Sequence, residues 1–304
     1  MGVLYVLFTT LIWSFVPILT KQLLGTFSPL WISFWRFVSA ALFLAVVQRW
    51  RQRTRPLGTS SNPWFYPLTP YFRERWWLVL GGLGIAGNYV FYNVGLLSTT
   101  PAVSTLMVQS SAITLSALGV IALAESFRIP KITGTLLAFI GLVLVAWNGE
   151  DLSALLDSHY FWGNMLVLCA GLSWSAYGLA QKVLSRGRSV LDGLVPIFAL
   201  AAVVSGLCAL WDKRVLQTPT PLDLVILLGL GIIGTGLSYL MLARAMQRLE
   251  ASTVAVICAT LPLFTMLESY LLGLERLSAL VLAGAALIIT GVAMILVTAK
   301  EPAV

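Results

Sequence analysis

Histidine occurs once in this 304-residue chain, at His159, and cysteine three times, at Cys169, Cys208 and Cys258. Each cysteine stands alone inside an apolar run, with no C-x-x-C spacing. That excludes a disulfide framework, a zinc site of the usual spacing and a histidine-based metal cluster. Charge is also scarce: 10% of residues are Asp, Glu, Lys or Arg, against about 25% in soluble domains. No string ends in the G-K-[ST] of a P-loop, which argues against ATP hydrolysis. An intramembrane enzyme would need a nucleophile–base pair or facing metal carboxylates at one depth, and the scattered acids form no such constellation. The chain is therefore expected to be no enzyme and to need no cofactor or metal.

Hydrophobic residues, in contrast, make up 59% of the chain. A helix crosses a bilayer core in about 20 apolar residues. Runs of that kind are expected near 3–21, 30–48, 76–97, 100–123, 130–148, 160–182, 190–211, 222–243, 252–273 and 278–298. They predict an all-α membrane protein of ten transmembrane helices, with no room left for a soluble catalytic domain. The first run has no basic segment before it and no A-x-A-type site after it, so it is read as a retained helix and not a signal peptide.

The net charge of +7 is informative through its placement. With the N-terminus inside, fourteen basic residues fall on the cytoplasmic side, four on the outer side (Lys21, Lys213, Arg214, Arg276), and Arg36 within a span. The positive-inside rule then predicts both termini in the cytoplasm of a plasma (inner) membrane protein. The basic charge is topological and implies no nucleic acid. Trp64, Phe65 and Tyr66, in a cytoplasmic loop over about 49–75, are expected to lie on anionic headgroups.

The chain is a duplication. LIWSFVPILTKQL from Leu11 and LSWSAYGLAQKVL from Leu172 align at an offset of 161, pairing Trp13 with Trp174, Ser14 with Ser175 and Lys21 with Lys182. GLGIAG at Gly82 and GLGIIG at Gly229 match at 147. From Gly95 and Ala245 the offset is 150, pairing Glu125 with Glu275, Gly134 with Gly284 and Gly141 with Gly291. The longer loop of the first copy accounts for the drop in offset. Two repeats follow, over 1–148 and 160–300. Five helices per repeat, an odd number, put the second copy upside down, a construction with its substrate site near the midplane between the halves.

The order of the WS pairs, Phe34-Trp35-Arg36-Phe37, Tyr92 through Ala102, Leu249-Glu250-Ala251-Ser252, Leu261-Pro262-Leu263 and Gly273-Leu274-Glu275-Arg276-Leu277 resembles the drug/metabolite transporter superfamily, in its ten-helix EamA-type members. The resemblance covers almost the whole chain. It implies two inverted five-helix bundles around a central cavity and the export of amino acids, other small metabolites or drugs. The expected partners are a small-molecule substrate and the lipid bilayer, and a monomer would suffice.

Polar and aromatic residues within spans are the candidate substrate contacts. Asn88, Tyr89, Tyr92 and Asn93 lie on one helical face, where amides in hydrocarbon need a partner or a cavity; holding helices together is the competing role. Gln109 lies near mid-depth of the fourth span, and Trp13, Ser14, Trp174, Ser175 and Tyr177 near the middle of the first and sixth. Tyr239 and Ser238 enter through alignment with Tyr92 and Phe91 at 147. Pro17, its partner Gly178, and Pro262 are candidate hinges, because proline removes a backbone donor and glycine weakens a helix. Two charges fall within spans. Arg36 matches an arginine of the family motif and is free to snorkel or to pair with a carboxylate. The resemblance gives Glu268 no role; an intramembrane carboxylate is nonetheless a candidate for coupling to protons, with pairing to Arg36 as the plainer alternative. Glu125 and Glu275 are expected to cap or anchor turns, and the glycines at seven-residue spacing to pack helices.

GLGIAG and GLGIIG fit the dinucleotide-binding pattern G-x-G-x-x-G, but both lie inside apolar helices and follow no strand. Close helix packing accounts for them better. The leading reading is a secondary exporter working by alternating access. A nucleotide-sugar or organophosphate exchanger of the same superfamily is the alternative within transport, and a transport-silent sensor or scaffold the alternative outside it.

Overall fold

The computed structural model describes residues 1–53, 72–99, 101–125, 128–147, 157–186, 189–212, 218–271 and 278–298. Trp64, Phe65, Tyr66, Glu275 and Arg276 lie outside the described residues. Backbone groups in hydrocarbon find no water, so each segment must close its own hydrogen-bond ladder, and a helix does so alone. The described residues accordingly form helices and no strand. In chain order they are α1 (Gly2–Leu23), α2 (Pro29–Arg53), α3 (Phe72–Leu96), α4 (Pro101–Val108), α5 (Ser110–Leu123), α6 (Ile129–Trp147), α7 (Phe161–Leu184), α8 (Val190–Ala209), α9 (Pro221–Gly231), α10 (Ser238–Arg248), α11 (Ala251–Cys258), α12 (Leu261–Leu271) and α13 (Ala279–Thr298).

These helices make up the ten expected passes, three of which are composite. The fourth breaks at Gln109 between α4 and α5, and the ninth at Ala259 and Thr260 between α11 and α12. The two breaks stand at duplicated positions, 150 residues apart. In the eighth pass, α9 and α10 are joined without interruption by a π turn over Ile232–Leu237. Charged residues end an apolar run without ending its helix: α2 continues through Arg49 and Arg51 to Arg53.

Large apolar side chains such as Leu42, Val46, Val203 and Ile289 are more than half exposed on the outside of the bundle, as expected where lipid is the solvent. Six passes are long and apolar enough by composition to cross a membrane, and α3 and α7 are not among them although they have 25 and 24 residues. These two instead share the most extensive helix contact in the molecule. The residues that dilute them turn inward: Asn164 and Gln181 are buried, and Asn88 and Asn93 bond neighbouring helices.

The second repeat is inverted relative to the first. In α6 and α13, duplicates of one another, Gly134 faces Gly291 and Gly141 faces Gly284, so the pair runs antiparallel. In α2 and α8, Phe34 faces Gly206 and Gln48 donates to Asp192 at 2.8 Å, again antiparallel. Trp13 touches its duplicate Trp174, and Phe37 touches Phe198 at the same offset of 161. A residue can touch its own duplicate only close to the two-fold axis relating the copies, so that axis passes between these pairs.

The register of the third and eighth passes differs from the GLGI match. Tyr89 stacks on Phe37 and Tyr239 on Phe198. Gly84 faces the Tyr177 backbone, and Gly234 faces the duplicate of Tyr177, Val16. Both relations require an offset of 150, so the structural partner of Tyr239 is Tyr89 and not Tyr92. The GLGI strings are displaced by three residues, nearly a helical turn, and a repeated apolar string at that displacement reads as a match.

At the end of the bundle where α1 begins and α13 ends, the copies are cross-linked. Glu125 accepts from the backbone N–H of Ala251 at 2.5 Å and of Ser252 at 3.1 Å, capping α11 as a turn anchor. Gly119 leaves the space, since a Cβ there would stand 2.5 Å from the Glu125 carboxylate. Lys131 pairs with Glu250 at 2.7 Å; within the second copy, Lys182 donates to the carbonyls of Met246 and Leu249, each at 2.5 Å. The fourth and ninth passes meet through α5 and α11 at this end; α4 and α12, at the far end, share no comparable contact among the described residues.

The glycines yield a prediction. A Cβ on Gly141 would stand 2.5 Å from the Gly284 carbonyl oxygen, whereas one on Gly229 meets nothing within 4 Å. Gly141→Leu is expected to cost about 1–3 kcal/mol or more through overpacking, while Gly229→Ala holds or raises stability by up to about 1 kcal/mol. Thermal melting in detergent measures both, and equal losses would contradict this packing.

Candidate functional site

The residues around the two-fold axis form one aromatic cluster drawn from six passes. Trp13 of α1 meets Trp174 of α7 edge-on at 6.4 Å between centroids and lies 5.0 Å from Tyr239 of α10. Tyr239 also packs edge-on against Tyr177 at 5.4 Å and Phe198 at 5.2 Å. The series continues through Phe37 of α2 to Tyr89 of α3. Such edge-to-face contacts are each worth about 0.5–1.5 kcal/mol beyond area burial. The indole N–H of Trp13 donates to Ser238 Oγ at 2.9 Å, so that the ring is fixed in orientation as well as packed.

Arg36 enters this centre from the first repeat, while Glu268 of the second repeat lies against α1 at Ser14, one residue on from Trp13. Arg36 is buried; its Nε donates to Thr235 Oγ1 at 3.1 Å, an Nη donates to the Tyr89 hydroxyl at 3.0 Å, and the guanidinium lies 5.0 Å from the Tyr89 ring centroid. Thr235 sits in the π turn and donates to the Leu230 carbonyl five residues back, the hydrogen-bond reach that such a turn supplies. Glu268 of α12 is also buried and accepts from Ser14 Oγ at 2.5 Å. The two charges do not pair with each other, and among the described residues neither has a counter-ion. Arg36 therefore neither snorkels outward nor joins a carboxylate. Glu268 Oε2 and the Tyr177 hydroxyl are buried with no hydrogen-bond partner among the described residues. An unpaired charge in hydrocarbon is costly, so both positions are sites where an oppositely charged or hydrogen-bonding solute gains most.

Trp13, Tyr89, Trp174, Tyr177 and Tyr239 thus come together, with Ser14 alongside through Glu268. Other residues expected at the site face elsewhere. Asn88 donates to the Ala170 carbonyl of α7 at 2.9 Å, and Asn93 to Pro29 O and Ser33 Oγ of α2. Ser175 donates to the carbonyls of Ser111 and Gly171, and Tyr92 hydrogen-bonds Ser104. Gln109 lines a small void with Thr135, Phe139, Val256 and Ala259, and no cluster residue borders it. Of the hinge candidates, α1 continues through Pro17, Gly178 gives room to Leu115, and Pro262 sits in the first turn of α12, just past the break.

Phe37, Phe198 and Thr235 were not expected at the centre. Phe37 and Phe198 were detectable, since their duplication at 161 is the signature that singled out Trp13 and Trp174. Nothing in the run IIGTGL marks a π turn, because widening a helix by one residue per turn changes neither composition nor apolarity.

Comparison with known proteins agrees with this architecture. The family model for "EamA-like transporter family" matches residues 1–147 and again 161–297. The chain is 30% identical over 278 residues to the uncharacterized inner membrane transporter YhbE of Escherichia coli (strain K12), covering 90% of this chain and 81% of that protein. It is 26% identical to an uncharacterized transporter of Haemophilus influenzae, over 89% and 84% of the two chains. A crystal structure with 19% identity superposes with a TM-score of 0.80 over 98% of both chains and shows the same fold.

The Trp13 contacts predict separable losses. Trp13→Phe keeps a ring against Trp174 and Tyr239 but removes the donor to Ser238, for about 1 kcal/mol. Trp13→Ala also empties the ring's volume, for about 3–5 kcal/mol. Chemical or thermal unfolding in detergent should rank the variants in that order; the reverse order would sink the assigned contacts.

Proposed function

The chain belongs to the EamA-like transporter family and is a multi-pass membrane transporter, and we propose that it is a secondary active exporter of small metabolites, amino acids or related amphipathic solutes, working by alternating access. The observation that carries this reading is the aromatic cluster on the axis between inverted repeats, with buried Arg36 against its Tyr89 end and the buried Glu268 carboxyl group against the same α1 helix at Ser14. Substrate sites of inverted-repeat carriers lie near the midplane at the repeat interface. A solute with a carboxylate, an ammonium group and an apolar body complements Arg36, Glu268 and the indoles in turn. Trp13, Tyr89, Trp174, Tyr177 and Tyr239 are its contacts in this reading, with Ser14 at its edge.

The asymmetry of basic residues supports placing the end with both termini in the cytoplasm of an inner membrane. The cross-links at that end are then the closed cytoplasmic side. An organophosphate or nucleotide-sugar exchanger would need several cations at the centre, and among the described residues Arg36 is the cation found there. Glu268 is the group proposed to couple export to protons, since it is buried at the same interface with one oxygen unpartnered.

Purified protein in liposomes should catalyse counterflow of at least one amino acid or small amphipathic solute above empty vesicles. Failure across a broad panel, with folded protein demonstrated in the same vesicles, removes the exporter reading. Glu268→Gln keeps a partner for Ser14 and removes the titrating group. It should abolish the pH dependence of transport while leaving exchange at one pH in place; an unchanged pH profile excludes Glu268 from coupling.

A further inference from the structure

Lys182 and Lys21 are duplicates at the offset of 161, yet their surroundings differ. Lys182, at the last turn of α7, holds the carbonyls of Met246 and Leu249 where α10 ends. Helix C-termini carry partial negative charge and unpaired carbonyls, so an ammonium there is electrostatically favoured, and two of its three N–H donors are bonded. Lys21, at the last turn of α1, is exposed at the far end, and among the described residues no hydrogen bond or ion pair engages its ammonium group. The duplicates of Met246 and Leu249 at the offset of 150 are Leu96 and Thr99, where α3 ends. The helices repeat the pattern: α7 packs on α10, while α1 and α3 share no comparable contact.

The two repeats therefore hold one sequence pattern in two internal arrangements. Exchanging the arrangements between repeats generates a second state of the molecule built from contacts already seen. We propose that Lys21 is the far-end latch of that second state, its ammonium on the carbonyls of Leu96 and Thr99, and that Lys21 and Lys182 engage alternately. The inference rests on the alternating-access reading, and it assigns each lysine to the stability of one state and not to substrate binding. The same geometry explains why a long flexible cation serves: its donors rotate to meet two carbonyls.

Spin labels test this without any substrate, so a failed latch is distinguishable from a failed transport reading. One pair, at Leu24 and Leu97, reports the far end, and a second, at Arg186 and Arg248, reports the terminal end; all four positions are exposed. Cys169, Cys208 and Cys258 are first replaced by Ala. Lys182→Gln should lengthen the terminal-end distance and shorten the far-end distance, shifting the ratio of states about tenfold or more for two lost charged hydrogen bonds. Adding Lys21→Gln should reverse most of that far-end shortening. Persistence of the shortening in the double variant overturns the assignment to Lys21. Should Lys182→Gln fail to fold, Lys21→Cys with Thr99→Cys provides an independent arm. Oxidation in membranes should cross-link this pair and lock the far end shut, with the Arg186–Arg248 distance lengthening. A pair that stays reduced, while a Gly2→Cys/Leu249→Cys pair at the closed end cross-links under the same oxidant, also overturns it.

Discussion

Two copies of a five-helix unit, one upside down, must share an axis, and only residues near that axis can meet their own duplicates. Much of the architecture follows from this constraint. Trp13 with Trp174 and Phe37 with Phe198 meet as duplicates and build the centre. Gly134 with Gly291 and Gly141 with Gly284 meet as exchanged duplicates and bring the backbones of α6 and α13 together without intervening side chains. Hydrocarbon supplies little driving force between helices, so such close approach and interhelical hydrogen bonds have to hold the bundle. The asparagines of α3 serve the second role, bonding carbonyls and a hydroxyl on α7 and α2.

Against this symmetric frame the chemistry is asymmetric. The duplicate of Arg36 is Ile197 and that of Thr235 is Ile85, both buried. The duplicate of Glu268 is Leu118. Each apolar position in one copy is thus replaced by a charged or hydroxyl-bearing residue in the other, at a depth where charge is costly. The aromatic rings belong to both halves, while Arg36 and Glu268 belong to one each, and so the central region has a defined polarity relative to the bundle.

Much of this was legible in the sequence because duplication leaves marks that survive burial. Paired tryptophans at 161 marked the duplication, and apolar runs outlined the ten passes although, among the described residues, only six are apolar enough to stand out by composition. Direction was less legible. A helical face groups Asn88, Tyr89, Tyr92 and Asn93, but which neighbour each meets depends on crossing geometry, and Tyr89 alone of the four turns to the cluster. The break at Gln109 carries neither proline nor glycine. GLGIAG proved to be a packing surface: Gly84 lies against the α7 backbone, where a Cβ would stand 2.8 Å from Ser173 O and Tyr177 N. Its apparent partner string is out of register by almost one turn, as the pairing of Tyr89 with Phe37 and Tyr239 with Phe198 and the glycine contacts show.

The ion pair between Lys131 and Glu250 has no counterpart, because the duplicate positions hold Val281 and Thr100. A perfectly duplicated machine would have two mirror states of equal energy and would idle equally in each. In the two-state reading proposed above, one unmatched ion pair makes the states unequal, and the posture in which it is made is set by residues that the two copies do not share.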